Sequence, residues 1–215
     1  VWTVANVPCA ASVDTIAVTF NENPTSADAG ADQTGSAICG KTTTTLLANN
    51  PSIGSGSWSI LSGINGTINN PLDTASDFSG TAGVEYELLW TVVNAPCAAS
   101  TDTVKVKFNE NPTIATAGTD KTDAGMCGLT STTLKADSVI VGVGQWSIQS
   151  GTSGNIIGDP TLREITFTGV PGNYVLRWTV VNAPCADSYD DINVSFYALP
   201  SDFTETDKNI CFGDS

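Results

Sequence analysis

The sequence predicts an all-β protein made of tandem two-sheet sandwiches, and three observations predict it. The segment WTVVNAPC at Trp90 recurs at Trp178 and, as WTVANVPC, at Trp2, so the three tryptophans stand 88 residues apart. Apolar residues alternate with polar ones at a period of two rather than 3.6. Valine, threonine and serine are plentiful, while 20 glycines and 10 prolines are scattered between the apolar runs as turn signals.

The repeat holds its register along the chain. Cys9, Cys97 and Cys185 correspond, as do Phe20, Phe108 and Phe196, and Pro24, Pro112 and Pro200. Trp58 answers Trp146, Cys39 answers Cys127, and Gly30 answers Gly118. An extra residue before Pro160 is offset by one fewer between Gly172 and Tyr174, and such slips mark loops. FNENPT and FYALPS each end a strand and break at proline, which places the unit boundary there. Two whole units are expected at 24–111 and 112–199. Residues 1–23 then read as the last two strands of a preceding unit, and 200–215 as the first strand of a following one. The chain is read as a window on a longer array.

Each element follows from its pattern. In VEYELLWTVV, Tyr86, Leu88, Trp90 and Val92 face one way, matched by Tyr174, Leu176, Trp178 and Val180. The opposite face exchanges Leu89 for Arg177 and Glu87 for Val175, as a solvated face tolerates. In DTVKVKF, Val104, Val106 and Phe108 point inward and Lys105 and Lys107 outward; Ile16, Val18 and Phe20 are expected to repeat this. Leu46 and Ala48 point in, while outward Leu47 becomes Lys135 in the next copy. GSWSI and GQWSI give a short strand around Trp58 and Trp146. About seven short strands per unit, each with one buried face, make a two-sheet sandwich. Units of roughly 40 Å joined by short proline-containing links are expected to stand end to end as a semi-rigid rod.

Composition narrows function. The net charge is −14, from 22 acidic and 8 basic residues, which argues against nucleic-acid binding and anionic membrane surfaces. No run of 18 apolar residues is present to span a bilayer. With no histidine in the chain, Ser-His-Asp and Cys-His nucleophiles and histidine metal sites are absent from it. No phosphate-binding glycine loop and no paired carboxylates in an aromatic cluster stand out, so no enzyme is expected. The tryptophans fall at inward positions and read as core.

Two side-chain classes remain as candidates. Six cysteines, Cys9, Cys39, Cys97, Cys127, Cys185 and Cys211, suit disulfides outside a reducing compartment better than metal, because no CxxC pair exists. Cys39 with Cys97 is the simplest pairing within a unit, but strand alternation puts those two at opposite poles; Cys39 with Cys185 across a junction is the alternative, and both stay open. Carboxylates near the unit boundaries, Glu22, Asp32, Glu110 and Asp120, together with Asp28, are candidates for a calcium ion, set against plain solvation, and the EF-hand spacing is absent. The tripeptide pattern D-[ST]-[apolar] recurs at Asp14, Asp73, Asp102 and Asp137 and reads first as a way to open a strand.

Taken together, AGADQT at Ala29, Cys39-Gly40, Trp58-Ser59-Ile60 and the Trp90–Cys97 block resemble the PKD/Ig-like tandem repeats of giant Bacteroidota cell-surface adhesins of the SprB gliding type, exported by type IX secretion. The resemblance covers essentially the whole chain. It implies a stalk displayed outside the cell and anchored at the outer membrane, serving surface attachment or gliding, with neighbouring repeats as its partners. It also implies O-linked glycans at Thr15, Thr74, Thr103 and Ser138. Two rivals are kept: a module that binds carbohydrate or protein, such as surface glycans or other cells, through loops like Ser62–Pro71 and Ser150–Pro160, and a filament subunit that exchanges strands at its ends.

Overall fold

A computed structural model describes residues 1–200 of the chain. The chain divides into two compact units, Val1–Asn109 and Glu110–Ser215. The first carries β1 (Trp2–Val4), β2 (Ser12–Asp14), β3 (Thr43–Thr45), β4 (Ser55–Ser62), β5 (Thr67–Ile68), β6 (Asp77–Ser79), β7 (Glu85–Val93) and β8 (Ser100–Lys107). The second carries β9 (Ser131–Lys135), β10 (Val143–Ser150), β11 (Asn155–Ile157), β12 (Glu164–Thr168), β13 (Gly172–Val181) and β14 (Ser188–Phe196). The only helical pieces among the described residues are short 3₁₀ turns at Ser36–Ile38 and Ala124–Met126.

Each unit is a sandwich of two antiparallel three-stranded sheets. In the first, β3-β6-β5 faces β4-β7-β8; in the second, β9-β12-β11 faces β10-β13-β14. The expected inward residues build the core between the layers. Tyr86, Leu88, Trp90, Val92, Val104, Val106 and Phe108 are all buried with Leu46, Trp58 and Phe78 in the first unit. Tyr174, Leu176, Trp178, Val180, Ile192, Val194 and Phe196 are buried with Leu134, Trp146 and Phe167 in the second. Ala48 is only partly buried against its core. Outward Leu47 is 66% exposed, as its replacement by lysine in the next copy requires.

The tryptophans set the register. Trp58 lies opposite Trp90, and Trp146 opposite Trp178, with ring centroids 5.0 and 5.3 Å apart. Gly56 and Gly144 make room for this: a Cβ at either would stand 2.0 Å from Cζ2 of Trp90 or Trp178, so only glycine lets the indole lie on the strand. Both β4 and β10 carry the same irregularity, between Ile60 and Ser62 and between Ile148 and Ser150.

The first segment of each unit is sealed to the last strand. Gln33 makes an isolated parallel bridge to Val106, and Lys121 one to Val194. Ala29 N–H donates to Asp102 Oδ2 at 2.7 Å and Ala117 N–H to Asp190 Oδ2 at 2.8 Å. Ser100 Oγ and Ser188 Oγ accept from Ala27 and Ala115 in the same way.

Within residues 1–23, the side chains of Ile16, Val18 and Phe20 depart from the expectation. β1 and β2 form a two-stranded hairpin, but β2 stops at Asp14, and Ile16, Val18 and Phe20 are 78, 66 and 94% exposed rather than inward. A hairpin with no facing layer has nothing against which to bury such side chains. The strand expected over 200–215 lies outside the described residues apart from Pro200, as does Cys211.

Candidate functional site

Beyond the core and the seals, two loops recur in both units. One is the turn after β7 and β13. Its proline bonds, Ala95–Pro96 and Ala183–Pro184, are cis, as is Val7–Pro8. Cys97 N–H donates to Asn94 O at 3.0 Å and Cys185 N–H to Asn182 O at 3.0 Å. The same asparagines reach back to the segment entering the unit: Asn94 Nδ2 donates to Glu22 O, and Asn182 Nδ2 to Glu110 O. The other loop is the 3₁₀ turn that ends in Cys39 or Cys127. There the cysteine N–H donates to Ser36 O or Ala124 O, each at 3.2 Å. Gly40 and Gly128 follow at φ 67° and 72°, in the left-handed region glycine favours. Their N–H groups donate to Asn109 O and Tyr197 O.

Cysteine chemistry differs between otherwise matching loops. Cys39 and Cys185 are disulfide-bonded, whereas Cys9, Cys97 and Cys127 carry free thiols. A bridge inside one unit, Cys39 to Cys97 or Cys127 to Cys185, is therefore not formed. Strand alternation is the reason: a cysteine leading into the second strand and one leaving the penultimate strand sit at opposite ends of a sandwich.

Of the acidic residues considered for calcium, Asp28, Asp32 and Asp120 accept backbone N–H groups through their carboxylates. Asp32 Oδ1 accepts from Lys105 N–H at 2.9 Å, and Asp120 accepts from both Asn193 N–H and Asn193 Nδ2. Those bonds hold the Asp120 carboxyl below the usual aspartate range, with the backbone N–H the larger cause. Asp28 Oδ1 accepts from Gly30 N–H, and Glu22 and Glu110 offer their backbone carbonyls as described. Among the described residues, no three Asp, Glu or Cys side chains gather in a group that could hold a metal ion. Asp102, singled out by its tripeptide pattern, and its counterpart Asp190 are the acceptors that seal each first segment. Of the hydroxyls in that pattern, Thr15, Thr103 and Ser138 are exposed and Thr74 is half-buried.

The outward face of the second sheet separates the two units. In β13 and β14, Arg177 Nε and Nη2 donate to Asp191 Oδ1 and Oδ2 at 2.7 and 2.8 Å, and the guanidinium lies 3.8 Å from the Tyr189 ring centroid. The paired guanidinium holds the Asp191 carboxyl below its ordinary range. At the same positions the first unit has Leu89, Thr103 and Thr101. Sequence reading recognised this face as solvated from the Leu89 and Arg177 exchange, but the bidentate pair needed the strand register, which sets Arg177 opposite Asp191. A groove in the first unit, lined by Asp32, Gln33, Lys41, Thr44, Leu47 and Asp77, holds no group of three carboxylates or thiols that could bind a metal ion.

No protein-family model and no curated protein matches the sequence. Among solved structures the chain is similar to the insect immune protein hemolin, at 12% identity and a TM-score of 0.43, over 85% of this chain and 48% of that one. It is similar to murine CEACAM1b at 15% identity and a TM-score of 0.41, over 75% and 94%. The Clostridium thermocellum CbhA fibronectin(III)-like modules match at 15% identity and a TM-score of 0.33, over 83% and 95%. The all-β assignment rests on the strands and their pairing.

Proposed function

We propose that these units are spacers in an extracellular stalk, tandem sandwiches that hold a binding element of a surface adhesin away from its cell. One observation carries the reading: the two units repeat most of their core, turns and seals at matching positions, and among the described residues no three Asp, Glu or Cys side chains gather into a group that could hold a metal ion. Bonded cysteines support a place outside the reducing cytoplasm. The resemblance to Bacteroidota surface adhesins adds attachment or gliding as the setting and outer-membrane display as the location. A non-enzymatic role follows from the same repetition. Small-angle scattering on the chain tests the stalk: a maximum dimension near twice that of one unit, roughly 80 Å from strand and loop lengths, is expected. A collapsed particle no longer than one unit sinks it.

The exposed Asp-Thr and Asp-Ser sites, Thr15, Thr103 and Ser138, extend the proposal to O-glycans that stiffen and shield the stalk. Intact mass of protein from its native host is expected to exceed the polypeptide mass in hexose-sized steps.

A second reading, a ligand-binding module, is favoured by one observation alone. Tyr189, 60% exposed beside the Arg177–Asp191 pair, gives the second unit an aromatic and charged outer face that the first lacks. A glycan array read with the chain and with its Tyr189→Ala variant separates the two readings.

A further inference from the structure

We propose that the hairpin of β1 and β2 is a docking surface, and that its occupant is the first layer of a further copy of this repeat, beyond the two described units. The inference rests on the tandem-array reading and deepens it by stating which groups the occupant must bring.

The hairpin already has the form of its covered counterparts. Trp2 lies opposite Asp14 and Val4 opposite Ser12, as Trp90 lies opposite Asp102 and Val92 opposite Ser100 in the first unit. Its turn is closed by Cys9 N–H donating to Asn6 O at 2.7 Å, the bond that Cys97 makes to Asn94 O. Burial is what differs. Trp2, Val4, Ile16, Val18 and Phe20 are 73, 57, 78, 66 and 94% exposed. Their counterparts 88 residues on, Trp90, Val92, Val104, Val106 and Phe108, are at most 1% exposed. The aspartate differs with them: Asp102 Oδ2 accepts from Ala29 N–H, whereas Asp14 Oδ1 accepts from its own neighbour, Thr15 N–H. A continuous apolar face held in a preformed shape marks a binding surface and loses little freedom on docking.

Each complete unit shows, within itself, what covers this face. A tryptophan from the adjoining strand packs on the counterpart of Trp2, Trp58 on Trp90 and Trp146 on Trp178. The glycine two residues before it is required, since a Cβ at Gly56 or Gly144 would stand 2.0 Å from the indole. A phenylalanine from the facing sheet stacks on the counterpart of Phe20, with Phe78 6.0 Å from Phe108 and Phe167 6.1 Å from Phe196. A first-segment amide, Ala29 or Ala117 N–H, reaches the aspartate. A second copy of the described chain has no such layer to spare, because both of its units bury these groups in their own cores. A further repeat, whose closing hairpin this is, meets all three requirements at once.

The test places a second copy of residues 24–88 ahead of Val1, which sets Leu88 before Val1 as it stands before Leu89, and leaves the 215-residue chain whole. Hydrogen exchange read by mass spectrometry follows the amides of residues 16–20 with and without the addition. In the chain alone they are expected to exchange fast at every protein concentration. With the addition they are expected to slow by about a hundredfold, toward the rates of residues 104–108. Gly56→Leu in the added copy alone should restore fast exchange, because its side chain takes the space of the Trp2 indole. Phe20→Ser, at a position exposed in the chain alone, should do the same. Three results overturn the proposal: unchanged exchange, slowing that survives Gly56→Leu, or protection in the chain alone that grows with concentration, which makes a second copy the occupant. Scattering on the 215-residue chain reads the stalk without this occupant, so the two can fail separately.

Discussion

The two units share most of their interiors and differ chiefly on their outer faces, and the division shows what each part of the sequence is for. The Trp pair, the glycine beneath it, the buried tyrosine and the aspartate seal occur in both at matching registers. On the outward side of the second sheet, Leu89, Thr101 and Thr103 become Arg177, Tyr189 and Asp191. Close packing punishes change inside, whereas a face in water accepts it at little cost. The interior is also not copied perfectly. Trp146 Nε1 donates to Arg163 O at 3.3 Å, while the matching Trp58 Nε1 is buried without a partner. Trp90 Nε1 finds Asn49 Oδ1 instead, where the second unit has Asp137.

The largest expected effect tests whether the two interiors are energetically separate. Trp178→Ala removes the centre of the second core and should cost that unit about 3–5 kcal/mol. In denaturant unfolding of the reduced chain, only the transition of the second unit is expected to move. Trp90→Ala should reproduce the loss in the first unit alone; movement of both transitions by either variant breaks the comparison.

A middling effect sharpens it. Tyr86 Oη accepts from Thr81 N–H at 2.7 Å and donates to Ile64 O at 2.8 Å. Tyr174 Oη meets only carbonyls, those of Val170 at 2.8 Å and Thr152 at 3.1 Å. Phenylalanine at 86 strands a backbone donor, so about 1–3 kcal/mol is expected; at 174 only acceptors lose a partner, and about 0.5–1.5 kcal/mol is expected. Equal losses in thermal or denaturant unfolding contradict the asymmetry.

The smallest effect belongs to the outer face. Asp191 has its folded pKa lowered chiefly by its hydrogen bonds from Arg177, so its contribution is present above the unfolded aspartate pKa. That contribution is lost as pH falls through the folded value. Carboxyl NMR titration should find Asp191 below the ordinary range and, in Arg177→Leu, back within it. Stability should change little at neutral pH, as is usual for an exposed pair. An unmoved titration in the variant assigns the shift elsewhere.

Much of the fold was legible because period-two alternation and an 88-residue repeat reinforce one another. The inward sets on β7, β8, β13 and β14 were read residue by residue. Ile16, Val18 and Phe20 were misplaced because the alternation reports what a strand would bury, not whether a facing layer is there to bury it. The cysteine state was half legible: alternation set the two loops at opposite poles, yet a shifted strand could have rescued a bridge within the unit, and only the bonded and free thiols decide. The acidic residues were the least legible. Asp32, Asp102 and Asp120 resemble ligands or strand openers in one dimension, but each accepts a backbone N–H, and that partner is invisible until the first segment is laid beside the last strand.

That closure also orders events in time. The bonds sealing Ala27, Ala29 and Asp32 to Ser100, Asp102 and Lys105 each join residues 73 apart. A nascent or translocating chain must keep its leading segment waiting until nearly a whole unit has emerged. The later unit carries the matching serine and aspartate, Ser188 and Asp190, which seal its own Ala115 and Ala117. Vectorial emergence presents the right partner first, whereas a chain released all at once from denaturant meets both together and risks a swapped pairing.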